Sequence, residues 1–328
     1  MNIVLITPAP AGSKAGNRAT AERWAKLLEQ EGHHVSILTD FQDEPCDLLI
    51  ALHAWRSHLA VRRFREAFPD IPLIVALTGT DIYDHQLRFP EQTLETMEQA
   101  DCLIGLHERV ARDIPERFGE KLVTVLQSAQ IPERLSGKKR AGFQVCVIGH
   151  LREEKDSLRA AFAARLVPAK STLKVINAGK PHNEQWESLA REELATNPRF
   201  EWLGEVSREE VQALMLSSDA MVISSIMEGG ANVVSEACRI GLPVLASDIS
   251  GNIGLLGDGY PGYFKTGSEE ELARLLWQAE SSPEFLADLA AKVGELAVNF
   301  TPQQEQAALA RALKKALAAR QAGSIQPG

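Results

Sequence analysis

Two acidic residues bracket the stretch of this 328-residue chain whose types and spacing most suggest chemistry: Glu228-Gly229-Gly230-Ala231-Asn232-Val233-Val234-Ser235-Glu236-Ala237. A short apolar run precedes it, and the glycine pair stands where a helical pattern opens. Glycines there let backbone N–H groups approach an anion at the positive end of the helix. Glu228 lies just before the helix, toward whatever that anion carries. Glu236 lies about two turns further on, where a carboxylate can accept from a diol such as ribose. A surface turn with two solvated acids is the plainer reading, but it leaves the following Gly241-Leu242-Pro243-Val244-Leu245-Ala246-Ser247 to coincidence.

A second candidate lies near the start. Residues 7–18 link a strand pattern to a helix pattern and carry Gly12, Ser13, Lys14, Asn17 and Arg18. The loop is neither G-x-G-x-x-G nor a P-loop, so it is not read as an NAD or ATP site. Backbone donors, a helix start and two cations still make an anion cradle. His53 follows the apolar run 48–52, and Asp81 follows the run 73–77 within Leu77-Thr78-Gly79-Thr80-Asp81. No metal-ligand cluster is apparent, and no cofactor is expected.

The elements that must position these loops are legible as alternation. Apolar runs at 3–6, 35–38, 48–52, 73–77, 102–106 and 122–126 alternate with helical patterns. A second series starts at 143–148 and continues at 173–176, 200–203, 220–224 and 243–246. Runs buried on both faces with helices between them predict parallel sheets, hence an α/β protein of two doubly wound, Rossmann-like domains. The polar, basic stretch 131–142 reads as a linker. The expected domains are therefore 1–140 and 141–300, with a C-terminal helix and frayed tail over 301–328. That last helix opens at Thr301-Pro302 and could pack on either domain. Ser207 with Glu210, and Ser268 with Glu271, form capping-box signatures. The glycine-rich residues 247–264 read as a long loop able to close over a nucleotide. Ligands of open α/β sheets bind beyond the carboxyl ends of the strands, which is where all these loops fall, and the two domains are expected to face each other across a cleft.

Charge and composition exclude several partners. Lys plus Arg number 35 against 44 Asp plus Glu, a net charge of −9, which disfavours nucleic acid. The four cysteines lie in no C-x-x-C motif, and mostly apolar contexts suggest free thiols in a reducing compartment, the cytoplasm. The opening apolar run is too short for a secretion signal, and no run reaches the ~20 residues a membrane span needs. Arg56, Arg62, Arg63 and Arg65 with Phe64 and Phe68 read as a solvated helix face rather than a membrane-docking one.

The run E-G-G-x-x-x-x-x-E-A, followed by G-L-P-V-L-A-S, resembles the donor-site signature of GT-B glycosyltransferases of the large retaining (GT4-like) family. The resemblance implies a GT-B fold. It also implies that Glu228 contacts a donor sugar, that the Gly229 and Gly230 amides hold its diphosphate, and that Glu236 binds ribose; Ala231 and Asn232 are expected among the donor-binding residues. Gly149-His150-Leu151-Arg152-Glu153-Glu154-Lys155 resembles the family's G-R-L-x-x-E-K stretch, whose Arg and Lys hold that diphosphate. Lys155 matches; His150 occupies the Arg position, with Arg152 two residues on. Residues 78–81 resemble the family's H-G-x-D loop, with Thr78 in place of the His.

The combination of residues 7–13, 76–81, 227–236 and 252–257 resembles a narrower group, the selenosugar synthases of selenoneine biosynthesis. This implies a UDP-sugar, typically UDP-N-acetylglucosamine, meeting selenophosphate. Selenium then displaces UDP at the anomeric carbon and phosphate is lost. The resemblance implies a compact anion seat at Gly12, Ser13, Lys14, Asn17 and Arg18 with Thr78, Gly79 and Thr80. Lys155 and Arg152 are then expected to steady the leaving diphosphate. His53 and Asp81 become candidates for releasing the phosphate. No divalent metal is implied. The alternatives are a conventional retaining transferase acting on a sugar, lipid or alcohol, an isomerase like UDP-N-acetylglucosamine 2-epimerase, or a non-catalytic nucleotide-sugar binding module.

Overall fold

A computed structural model of the chain describes residues 1–13, 15–131 and 141–323. Lys14, residues 132–140 of the expected linker and residues 324–328 of the expected frayed tail lie outside the described residues.

The chain divides into two compact units, Met1–Ser128 with the segment from Pro302 onward, and Ala129–Thr301. The first holds strands β1 (Asn2–Ile6), β2 (His34–Leu38), β3 (Leu48–Leu52), β4 (Leu73–Leu77), β5 (Cys102–Gly105) and β6 (Leu122–Thr124). They form one sheet in the order β2-β1-β3-β4-β5-β6, every pair parallel. All five residues of β3 and of β4 are buried, because helices cover both faces of the sheet. Alternate residues accordingly enter two cores. Leu48, Ile50 and Leu52 pack in one, and Leu49 and Ala51 in the other.

The second unit repeats the design with β7 (Gln144–Ile148), β8 (Lys174–Ala178), β9 (Phe200–Trp202), β10 (Ala220–Ile223), β11 (Val244–Ser247) and β12 (Tyr263–Phe264). Their order is β12-β11-β10-β7-β8-β9, again parallel. Ser207 and Glu210 complete a capping box, whereas Ser268 caps its helix while Glu271 accepts instead from the Lys265 N–H. The doubly wound α/β architecture expected from the alternating runs is therefore present in both halves.

Residues 247–264 differ from the expectation of a long loop. They contain the helix Ser250–Leu256 and strand β12. Their glycines mark close packing rather than freedom. A Cβ on Gly251 would stand 2.2 Å from the Glu228 carbonyl oxygen, and one on Gly262 would stand 2.5 Å from that of Val244. Asn252 anchors the helix by donating to the backbone carbonyl and the hydroxyl of Ser247, both at 3.0 Å.

The unit boundary falls after Ser128, ahead of the polar stretch that reads as a linker. Ala129 already belongs to the second unit: its N–H donates to Phe300 O at 3.0 Å, and its carbonyl accepts from Arg239 Nε at 3.2 Å. The last helix, Pro302–Gly323, packs on the first unit. Ala308, Leu309, Ala312, Leu313 and Ala316 repeat at helical spacing and enter the core around Trp24. Glu305, 1% exposed, fixes its register. Its carboxylate accepts from Arg23 Nε at 3.0 and 2.9 Å, Trp24 Nε1 at 2.8 Å and Ser128 N at 2.9 Å.

Replacing Glu305 with Ala strands the buried Trp24 and Ser128 donors and removes the carboxylate that Arg23 pairs with. The first unit is expected to lose about 3 kcal/mol of stability. Urea unfolding followed by tryptophan fluorescence checks this; an unchanged midpoint would refute the anchoring role.

Candidate functional site

In the second unit, the loops after β7 and β10 meet through their backbones. The N–H of Ile226 donates to Glu154 O at 2.9 Å, and Ser224 Oγ donates to Asp156 O at 2.8 Å. Asp156 ends the short turn Glu153–Lys155 in a left-handed conformation, φ +43°, which turns the chain back toward the sheet. This contact brings together Lys155 and Glu228, 73 positions apart. Lys155 Nζ donates to Glu228 Oε1 at 2.5 Å, and Ser225 Oγ donates to the same oxygen at 2.6 Å. Glu228 is 8% exposed, and its Oε2 has no hydrogen-bond partner among the described residues. One carboxylate oxygen is thus held and the other is left as an acceptor.

The pair is backed from below. Ser247 Oγ donates to Ser225 O at 2.6 Å, and Asn252 holds Ser247 in turn. Directly after Glu228, Gly229 and Gly230 lead into the helix Asn232–Ile240, whose N-cap position is Ala231, a residue with no side-chain acceptor. Its first N–H groups and dipole face the same strand ends as the Lys155 ammonium. Gly229 and Ala231 are buried, while Gly230, Asn232 and Glu236 are half-buried.

His150 differs from the arginine of the motif it resembles in more than size. Its Nδ1 accepts from the Lys180 N–H at 3.3 Å, so the ring proton sits on Nε2. Burial lowers its pKa, and the charges of Lys180, Arg152 and Lys155 lower it further against Glu205. At neutral pH it is an uncharged donor. Arg152 is held more loosely, its Nε 3.8 Å from Glu154 Oε2.

In the first unit, the loop after β4 is built around Asp81, which is fully buried. Its carboxylate accepts from the N–H groups of Thr78 at 2.9 Å, Gly79 at 2.7 Å and Ala54 at 3.0 Å. This pins the loops after β3 and β4 together and leads into a single π-helical turn, Asp81–His85. His53, 1% exposed, takes φ +75°, which costs a non-glycine residue energy and marks a constrained position. Its Nδ1 accepts from the Arg56 N–H at 3.2 Å, so Nε2 donates to Thr80 Oγ1 at 2.9 Å. The Thr80 hydroxyl keeps its own proton to give, and Thr78 and Thr80 are half-buried. His53 and Asp81 therefore act on this loop from beneath it.

Tyr83, on the same turn, donates to Asp113 Oδ2 at 2.8 Å and meets His107 Nε2 at 2.8 Å. In the first loop Gly12 is left-handed, φ +78°, and Ser13 Oγ accepts from the Ala15 N–H at 3.1 Å. Asn17 is half-buried, and Arg18 is committed to Glu22 at 2.6 Å. Sequence reading missed Ser225, Lys180 and the His107–Tyr83 pair. Ser225 is signalled only by a serine doublet after a strand three positions before Glu228. Lys180 is signalled only by following β8 and a glycine.

Residues 133–297 match the model of the glycosyl transferases group 1 family, half of the chain, and the chain belongs to that family. It is 27% identical over 150 residues to the Escherichia coli UDP-Gal:alpha-D-GlcNAc-diphosphoundecaprenol alpha-1,3-galactosyltransferase, a match covering 44% of this chain and 38% of that relative. The structure is similar to Anabaena HepE in complex with UDP and glucose, with TM-score 0.75 and 17% identity over 96% of this chain and 99% of that one. It is also similar to sucrose-phosphate synthase from Thermosynechococcus elongatus, with TM-score 0.76 and 14% identity over 97% and 99%. The architecture is the GT-B fold, two Rossmann-like units. Among the described residues no helix is long and apolar enough to cross a membrane.

Burial pushes His107 down to about 4, against the opposing pull of Asp113. Its unfolded imidazole protonates near 6.5 and its folded one only near 4, so its contribution to stability is complete above 6.5 and is lost as pH falls from there through about 4. His53, also lowered by burial, acts in the same direction. His107→Gln is expected to flatten the acid-side slope of stability by up to ~1.4 kcal/mol per pH unit. Urea unfolding at stepped pH measures it; equal slopes in both proteins would rule out a neutral buried His107.

Proposed function

We propose that this protein transfers a sugar from a UDP-sugar, with N-acetylglucosamine as the expected sugar, to the selenium of selenophosphate. The observation that carries the donor half is the Lys155–Glu228–Ser225 cluster beside the start of the helix Asn232–Ile240. Selenium attacks the anomeric carbon, and the bond from that carbon to the diphosphate oxygen breaks with its electron pair leaving on UDP. Water then attacks phosphorus; the Se–P bond breaks with its pair on selenium, giving a 1-seleno-sugar and phosphate. Charge builds on the diphosphate as it leaves. Lys155, Arg152 and the N–H groups of Gly229, Gly230, Ala231 and Asn232 meet it with fixed donors. Glu228 Oε2 accepts from sugar hydroxyls, Glu236 from ribose, and His150 donates through Nε2.

The acceptor half rests on the motif resemblance and on what the first unit offers. Selenophosphate is compact, highly charged and already ionised, so it asks for donors rather than for a strong base. Gly12, Ser13, Lys14 and Asn17, with the Thr78 and Thr80 hydroxyls, supply them, while Arg18 is paired with Glu22 and the Gly79 N–H with Asp81. His53 orients the Thr80 hydroxyl and Asp81 fixes the Thr78 and Gly79 amides. The cytoplasm suits such a reaction, and Cys46, Cys102, Cys146 and Cys238 are free and buried. A hydroxyl acceptor is the second reading, favoured by the likeness to the E. coli galactosyltransferase.

Purified protein given UDP-N-acetylglucosamine is expected to release UDP only when selenophosphate is added, with 1-seleno-N-acetylglucosamine and phosphate as co-products by mass spectrometry. A glycoside formed on an alcohol without selenium, or an epimer formed without acceptor, would overturn this reading. Glu228→Gln and Lys155→Ala are each expected to cut kcat/KM by at least ~100-fold.

A further inference from the structure

The loops after β7 and β8 are locked together beside the proposed diphosphate seat. Leu151 N donates to Lys180 O at 2.9 Å, and His182 N donates to Leu151 O at 2.9 Å, extending the parallel pairing beyond the strands as a bridge between Leu151 and Pro181. The approach is so close that a Cβ on Gly179 would stand 1.9 Å from Gly149 O. Lys180 is thereby set against His150, its own N–H donating to the ring at 3.3 Å. The stem of Lys155 borders the neighbouring Gly149.

The cations around this point are committed to different degrees. Lys155 holds Glu228, and Arg152 lies 3.8 Å from Glu154. Lys180 is exposed, and its ammonium has neither an ion pair nor a hydrogen bond among the described residues. Of the charges acting on the His150 ring, that of Lys180 acts most strongly. The ring itself carries a donor but no charge, where the motif it resembles carries an arginine.

We propose that Lys180 is a further cation of the diphosphate seat beside Lys155 and Arg152, standing in from the neighbouring loop for the arginine that position 150 lacks. The inference rests on the donor-site reading above. A diphosphate needs charge from more than one side, and Lys155 spends part of its own on Glu228. A lysine is a point charge on a flexible stem, so it reaches an anion from a loop where a rigid guanidinium fork would need the position of His150 itself. His150 then acts as the hub: its Nδ1 fixes the Lys180 backbone and leaves the ring proton on Nε2.

The test measures UDP binding by titration calorimetry on the full chain. Lys180→Ala is expected to weaken UDP roughly tenfold and to make binding less sensitive to salt. Lys180→Arg is expected to retain most of the affinity. The decisive variant moves the charge: His150→Arg in the Lys180→Ala background is expected to restore binding, while His150→Arg alone adds little. Circular dichroism and the melting temperature establish that each variant is folded. If the unmodified protein binds UDP and Lys180→Ala matches it within twofold, the role of Lys180 is wrong while the donor site stands. The same holds if His150→Arg raises affinity equally in both backgrounds. If the unmodified protein does not bind UDP, the donor-site reading falls and this inference with it.

Discussion

The ion pair between Lys155 and Glu228 is the interaction on which the second unit's site depends. Neither residue is near the other in the chain, and each sits on a loop that must be held for the pair to form. A carboxylate as buried as Glu228 is costly unless its charge is matched and hydrogen-bonded. The protein meets that cost on one oxygen only, with an ammonium and a hydroxyl. The other oxygen is left as an acceptor, and that follows from the way the first is satisfied.

Much of the surrounding structure reads as support for that arrangement. Ser225, Ser247 and Asn252 form a line of hydrogen bonds behind Glu228, and Gly251 lets the helix Ser250–Leu256 pack against its backbone. The loops after β7 and β8 are joined by backbone bonds and by a neutral imidazole. Small residues recur here because backbones touch. A side chain at Gly179 or Gly251 would occupy space already filled by carbonyl oxygens.

The first unit uses a different device. Asp81 is enclosed and satisfied by backbone donors, so its charge shapes a loop instead of meeting a ligand. His53 and His107 each accept a backbone N–H on Nδ1 and turn Nε2 toward a hydroxyl of the same segment, Thr80 and Tyr83. Both imidazoles are held neutral by burial. Two uncharged rings thus steady a π-helical turn, while Glu305 ties the last helix of the chain to the same unit from far along the sequence.

The alternating apolar runs by themselves determined the strand–helix series and its parallel sheets, because burial on both faces leaves a local signature in every strand. The residue types directly after strand ends also singled out Glu228, Lys155 and the glycine-opened helix, and the structure brings Lys155 and Glu228 together. Tertiary structure alone decided which unit the last helix joins, because its apolar stripe reads as suiting either core and its polar ties, Glu305 among them, join residues distant in sequence. It turned residues 247–264 from an expected loop into a packed helix and strand, since glycine marks close approach as readily as flexibility. It also decided that Arg18 is spent on Glu22, that Asp81 is enclosed, that Ser225 bonds Glu228, and that the Lys180 backbone bonds His150. Hydrogen bonds and charges between residues distant in sequence carry no periodicity, so only the folded chain can show which polar groups are already satisfied and which remain to be used.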